Sequence, residues 1–191
     1  MGSPQDWEGV IRHLPEYSCE ALSYPFQIPS DTIVIGYSMG GRIALRSSNP
    51  KILLSTHPGL QTSEEKAERL LQDQRWIQKL HQEPLESFLK AWYAQPLFDS
   101  LRQHPEFPMI FSRRLQQNPK VLANMLEQES LAHQQFNSQA IFLHGQLDEK
   151  FAQLYRNLQI HSLEIAGAGH AAHLENPHVC AQAIRLAISG L

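Results

Sequence analysis

The stretch "TIVIGYSMGGRIAL", residues 32–45, constrains the fold more than any other part of the chain. Thr32–Ile35 is β-branched and apolar and reads as a buried strand. Gly36-Tyr37-Ser38-Met39-Gly40 breaks that strand, and Gly40–Ser48 reads as a helix. A serine on a sharp strand-to-helix turn is presented above the carboxyl end of a sheet. Glycines at 36 and 40 are expected to remove side chains that would clash in that turn. Backbone N–H groups at the helix start can then stabilise a developing oxyanion. A plain tight turn with an N-capping serine explains the pattern less well, because it needs neither the strand before nor the helix after.

The rest of the chain supplies the sheet this turn requires. Lys51–Thr56 reads as a second buried strand, and Ala140–Leu143 and Ser162–Ile165 as two more. Trp7, Val10, Ile11 and Leu14 recur at helical spacing over residues 4–14, and Pro177 opens a closing helix over Asn176–Ile188. "EALSYPFQIPSD" reads as a short strand plus a connection. Between the strand blocks, residues 61–131 turn to helices rich in Gln, Glu, Arg and Leu. Thr62 and Glu65 form a capping box, with Ala67, Leu70, Leu71, Ile77 and Leu80 as the apolar stripe behind it. Pro84 opens a helix carrying Leu85, Phe88, Leu89 and Trp92. Another spans Pro108–Gln117, and Pro119 starts one with Leu122, Met125 and Leu126. Strand and helix alternation implies an α/β fold with a mainly parallel sheet. The helical block is expected to be a cap inserted over the carboxyl ends of the strands, where open α/β sheets bind ligands. The expected division is a core of residues 1–60 and 132–191 with a cap of 61–131.

The chain has 191 residues, 42% hydrophobic and 18% charged, enough for one globular domain with a small subdomain. A net charge of −3 and a pI near 6.4 argue against nucleic-acid or acidic-membrane partners. Cys19 and Cys180 show no CxxC and no zinc spacing, which points to a reduced, cytoplasmic setting without metal or cofactor. The N-terminus lacks a basic start followed by an apolar core, and no apolar run approaches the ~20 residues of a membrane span.

A nucleophilic serine needs a base, and the base needs an orienting carboxylate. "IFLHGQLDEKF" is a strand, a turn and Asp148. "LEIAGAGHAAHLENP" is a strand, a Gly-rich loop and His170. The order Ser38, Asp148, His170 is the hydrolase order, each residue following the carboxyl end of a strand. Glu149 competes with Asp148, and His173 and His144 compete with His170. The position just after Gly167-Ala168-Gly169 favours His170.

With "GYSMGGRIAL", "HPGL", "AERL", "AWYAQPLF", "SRRLQQNPKVLANML", "HGQLDEKF" and "AGHAAHLENP" in this order, the chain resembles the 2-succinyl-6-hydroxy-2,4-cyclohexadiene-1-carboxylate synthases of menaquinone biosynthesis, lyases on the α/β-hydrolase fold. "GSPQDW" matches the segment after that family's His-Gly oxyanion loop. The elbow and histidine loop are common to many α/β-hydrolases; "SMGGR" with the cap pieces is more specific. The resemblance implies elimination of pyruvate from a polycarboxylate cyclohexene, with Ser38, Asp148 and His170 as the triad. It also implies that the serine acts as a base on a ring proton, without an acyl-enzyme. It implies carboxylate-binding roles for Arg42, Arg69 and Arg114, with Arg113 as the alternative to Arg114, since a guanidinium fork pairs bidentately with carboxylates. Trp92, Tyr37 and Met39 are expected beside the substrate. On composition alone, Arg69 reads as a solvated helix charge and Trp92 as core.

The chain also departs from the family pattern. The strands leading to the family's oxyanion loop would precede Met1. Where the family has a turn and a whole helix between Tyr24 and Asp31, this chain has "PFQIPS", and Arg46–Lys51 is short as well. Two other readings therefore stand beside the lyase: a serine esterase or thioesterase, and a catalytically impaired remnant that keeps the fold. The arginines favour the lyase, because an esterase of neutral substrates would want an apolar cap.

Overall fold

In a computed structural model, residues 2–25 and 27–191 are described; Met1, and Phe26 within the expected connection, lie outside them. The chain divides into two compact units, residues 57–138 and residues 2–56 together with 139–191.

The second of these begins with a 3-10 turn over Pro4–Trp7 that runs into helix α1 (Glu8–Arg12). Glu20–Tyr24 forms no strand, contrary to expectation. Strand β1 is Val34–Tyr37, helix α2 is Met39–Ala44 and strand β2 is Lys51–Leu54. The β1 ladder starts two residues later than β propensity implies. Its partner sets the limit: Val34 N donates to Pro50 O, and Val34 faces Lys51 in register. Helix α2 ends early because Arg46 N and Ser47 N turn back onto Ile43 O and Ala44 O, and Ser47 Oγ donates to Ala44 O at 3.0 Å.

The unit of residues 57–138 is helical: α3 (Ser63–Gln82), α4 (Leu85–Tyr93), α5 (Asp99–Gln103), α6 (Phe107–Arg114) and α7 (Pro119–Gln128). The capping box at the start of α3 forms, with Glu65 N donating to Thr62 Oγ1 and Thr62 N to Glu65 Oε2. The N–H groups of Thr62 and Gln61 hold the Glu65 carboxyl below the usual carboxylate range. The expected apolar stripe is only partly buried. Leu80 is covered, but Leu71 is 57% exposed, and the buried neighbour on α3 is Asp73. Trp76, Phe88, Trp92 and Phe98 stack edge and face in one aromatic cluster. The two ends of the unit are tied together where Asn137 N donates to Pro58 O at 2.8 Å.

Strand β3 (Ile141–Gly145), helix α8 (Glu149–Asn157), strand β4 (Ser162–Ile165), the short helix α9 (Ala172–Glu175) and helix α10 (Pro177–Ile188) complete the unit of residues 2–56 and 139–191. The four strands are all parallel in the order β1-β2-β3-β4. Ile52, Leu53 and Leu54 are fully buried, as expected of a parallel strand covered on both faces. One side of the sheet packs Val10 and Leu14 with Cys180, Ala181 and Ile184 of α10. Arg185 of α10 pairs with Glu16. No helix among the described residues is long and apolar enough to cross a membrane.

Candidate active site

Parallel strands deliver their carboxyl ends to one edge, and three of the four carry the residues of interest. Ser38 follows β1 directly. Its backbone sits at φ 51°, ψ −112°, outside the regions a non-glycine residue prefers. Such a turn survives only where its surroundings over-determine it, and two close approaches do so. A methyl group on Gly36 would stand 2.5 Å from Gly41 Cα, and one on Gly41 would collide with Thr56 Oγ1. Gly40 meets nothing within 4 Å. The expectation for Gly40 is therefore corrected: Gly36 and Gly41 are the glycines this elbow needs, because strand β1 and helix α2 meet there.

His170 lies in the loop after β4, 2% exposed. Its Nε2 is 3.3 Å from Ser38 Oγ, and its Nδ1 is 2.8 Å from Asp148 Oδ2. A carboxylate can only accept, so Nδ1 carries the proton and Nε2 is left as an acceptor for the serine hydroxyl. Tyr37 and Phe151 flank the imidazole at 5.2 and 5.0 Å between ring centres.

Asp148 ends the β3 turn and caps α8, accepting from Phe151 N at 3.3 Å. Its Oδ2 also accepts from Ser55 Oγ at 2.8 Å. Burial works against its ionisation. The bonds from His170, Ser55 and the Phe151 N–H outweigh that cost and hold the carboxyl below its usual range. Asp148 is thus an anion at neutral pH although it is 3% exposed.

The competing histidines lie elsewhere. His173 packs on Tyr37 at 4.3 Å and on Trp7 at 4.8 Å between ring centres. His144 stands on β3 opposite Glu164, with its ring 5.9 Å from Tyr155. Its Nδ1 is buried with no hydrogen-bond partner among the described residues. Burial pushes its pKa down, against the opposing pull of Glu164 and Asp148. Of the three histidines, His170 is the one in reach of Ser38.

Met39 is the first residue of α2. Arg42 lies one turn on, 7% exposed, and its backbone N donates to Ser38 O at 3.1 Å. Three further expected substrate contacts belong to the helical unit. Arg69 is not a merely solvated charge: its Nε donates to buried Asp73 at 2.9 Å, and Ser130 Oγ donates to the same carboxylate at 2.7 Å. Trp92 belongs to the aromatic cluster. Arg114 is 2% exposed, with Nε 3.2 Å from the Tyr93 hydroxyl.

Two residues near Asp148 are not singled out by the sequence motifs. Ser55 is fully buried, at φ 45°, just past β2. Tyr155 of α8 grips the next residue: its hydroxyl accepts from Thr56 N and donates to Thr56 O, both at 2.9 Å. Burial drives the phenol pKa far up, so the hydroxyl stays protonated. The available signal was a polar pair, Ser55-Thr56, closing the apolar run Ile52–Leu54. Among the described residues, no group of three or more His, Cys, Asp or Glu side chains is placed to hold a metal.

Residues 1–183 match the profile described as "Alpha/beta hydrolase family". The chain is similar to a 2-succinyl-6-hydroxy-2,4-cyclohexadiene-1-carboxylate synthase from Enterobacter sp. (strain 638), with 31% identity over 234 aligned positions covering 100% of this chain and 90% of the relative. Those positions outnumber the 191 residues of this chain, so it is internally shorter than that relative. Among solved structures it is similar to MenH from S. aureus, at 27% identity and TM-score 0.75 over 83% of this chain and 68% of the other. A thermophilic esterase from Thermogutta terrifontis shares the fold, at 24% identity and TM-score 0.60 over 83% and 64%.

Proposed function

Because the chain belongs to the alpha/beta hydrolase family, in the branch of the 2-succinyl-6-hydroxy-2,4-cyclohexadiene-1-carboxylate synthases, we propose that it is a carbon–oxygen lyase using Ser38, His170 and Asp148. The substrate is a succinyl-enolpyruvyl-hydroxycyclohexene carboxylate. His170 Nε2 draws the proton from Ser38 Oγ, and the serine oxygen takes a ring proton. The C–H electron pair becomes the new ring double bond, and the C–O bond to the enolpyruvyl group breaks. The leaving enolate picks up a proton and becomes pyruvate. Asp148 holds the Nδ1–H tautomer and stabilises the imidazolium that forms. In this reading Arg42, Arg69 and Arg114 supply positive charge for the carboxylates, with Tyr37, Met39 and Trp92 as further contacts.

The observation that supports it best is the 2.8 Å and 3.3 Å pair of distances on the two sides of His170. Such an array gives a serine oxygen a proton acceptor. The same array also suits ester hydrolysis, where the serine would attack a carbonyl instead. The internal shortening favours a third reading, an inactive remnant. Pyruvate release from the polycarboxylate, followed with a coupled NADH-consuming dehydrogenase, separates all three. Release that falls by about 10²–10⁴ in Ser38→Ala supports the lyase. Turnover of a neutral chromogenic ester alone supports the esterase, and turnover of neither supports the remnant. Arg42→Ala should raise KM for the polycarboxylate by about tenfold or more, the loss of one charged hydrogen bond, and leave a neutral ester unaffected. Equal loss on both substrates would make Arg42 structural.

A further inference from the structure

The loop that carries His170 is bonded at almost every step. Gly167 N donates to the Gln146 side-chain oxygen at 2.9 Å, Leu147 N to Ala168 O at 2.8 Å, and the Asn176 amide to Ala166 O at 2.9 Å. Those bonds fix the first half of the loop, before the histidine. The second half is held differently. Glu175, half-buried at the end of α9, accepts from Gly169 N through Oε2 at 2.7 Å and from Ala171 N through Oε1 at 3.1 Å. One carboxylate therefore grips the N–H of the residue on each side of His170, one oxygen to each.

We infer that Glu175 is a positioning residue for His170, acting through the backbone and not on the substrate. The chemistry of the two donors explains why an acid is required. Ala171 is the N-cap of α9, so its N–H and that of Gly169 precede the helix and have no intrahelical carbonyl to reach. A carboxylate offers two acceptor oxygens; an amide offers one, and presents N–H to the other donor. With the Ala168–Gly169 and His170–Ala171 peptides both held, the backbone is bracketed around His170 and its Cα–Cβ direction is fixed. The ring then reaches Asp148 and Ser38 together. A histidine freed on one side pivots, and displacement on the order of 1 Å at a reacting group costs about a hundredfold in rate. The role rests on the reading of His170 as the proton acceptor for Ser38, but the grip itself does not.

The test compares Glu175→Gln with Asn176→Ala, which cuts a bond to the same loop outside the grip. Three quantities are read: amide exchange at Gly169 and Ala171, the far-downfield proton resonance of the His170 Nδ1–H bonded to Asp148, and kcat and KM for the polycarboxylate. Glu175→Gln should speed exchange at both amides, weaken or erase the downfield resonance, and lower kcat by about tenfold or more with KM within about twofold. Asn176→Ala should keep the resonance and kcat. Glu175→Asp, a milder change, gives the same readings if the Gln variant does not fold. A Glu175→Gln protein that retains resonance and kcat overturns the inference. So does an Asn176→Ala protein that loses both to the same extent. If the unaltered chain turns over no substrate, the lyase reading fails, while exchange and resonance still decide the grip.

Discussion

Ser55 Oγ donates to the very oxygen of Asp148 that accepts the hydrogen bond of His170 Nδ1–H, at 2.8 Å in both cases. The three strands β1, β3 and β4 hold the serine, acid and histidine, and β2 supplies the group that steadies the acid. A hydrogen bond to a charged acceptor contributes about 1.5–3 kcal/mol. Ser55→Ala should therefore lower kcat by roughly tenfold or more. It should also make the fold more acid-labile. Asp148 is held below its usual range, so its contribution is complete above the ordinary carboxylate pKa and fades as pH falls through the folded value. Without Ser55 that folded value rises, and acid unfolding should begin at higher pH. Circular dichroism across an acid titration reads the difference; superimposable curves would refute it.

The elbow glycines differ in what they tolerate. Gly41→Ala should destabilise by about 1–3 kcal/mol or prevent folding, because the new methyl overlaps Thr56. Gly40→Ala faces open space within α2 and should be neutral or stabilising by up to about 1 kcal/mol. Urea midpoints of the two proteins decide the order, and a reversed order would contradict the packing described.

His144 makes a separate contribution to pH dependence. Burial lowers its folded pKa from 6.5. Above that pH it is neutral folded and unfolded. Below it, the unfolded chain takes up a proton that the folded chain does not, so stability falls as pH falls, by at most about 1.4 kcal/mol per pH unit. His144→Phe removes the titrating group and suits an apolar setting beside Tyr155. Between pH 7.5 and 5.5 its urea midpoint should drop less than that of the unaltered chain.

Much of this arrangement is legible in the sequence. Ser38, Asp148 and His170 each follow a segment that reads as a strand, so the parallel topology sends them to one edge. What stayed hidden depends on pairing across distance. Thr32 and Ile33 have strand propensity but no ladder partner among the described residues, because β2 begins at Lys51 and Thr32 O is taken by the Asn49 amide. Ser55 looks like any strand-end serine until Asp148, 93 residues away, is beside it. Arg69 and Asp73 stand at helix spacing and were legible as a pair, but the burial of Asp73 needs Ser130 from beyond α7.

Tyr155→Phe leaves the Thr56 peptide without either of its hydroxyl bonds. A buried N–H stripped of its acceptor costs about 1–3 kcal/mol. For a chain of this length that is a fall in Tm of roughly 2–4 °C per kcal/mol. Calorimetry showing an unchanged Tm would mean that the turn after β2 is held by other means.

The bond from Asn137 N to Pro58 O has a kinetic meaning as well. Strand β2 is made long before β3, and Ile52 must find Ile141 across all the intervening chain. Closing a floppy loop of that size carries an entropy cost that grows as about (3/2)RT ln n. A helical segment that folds on local contacts and ties its own two ends together shortens that search to a few residues on either side. The nascent chain can then register β3 against β2 as soon as β3 is complete. His170 follows Ser38 by 132 residues and is made well after it. Ser38 therefore stands without His170 beside it until those intervening residues have been added.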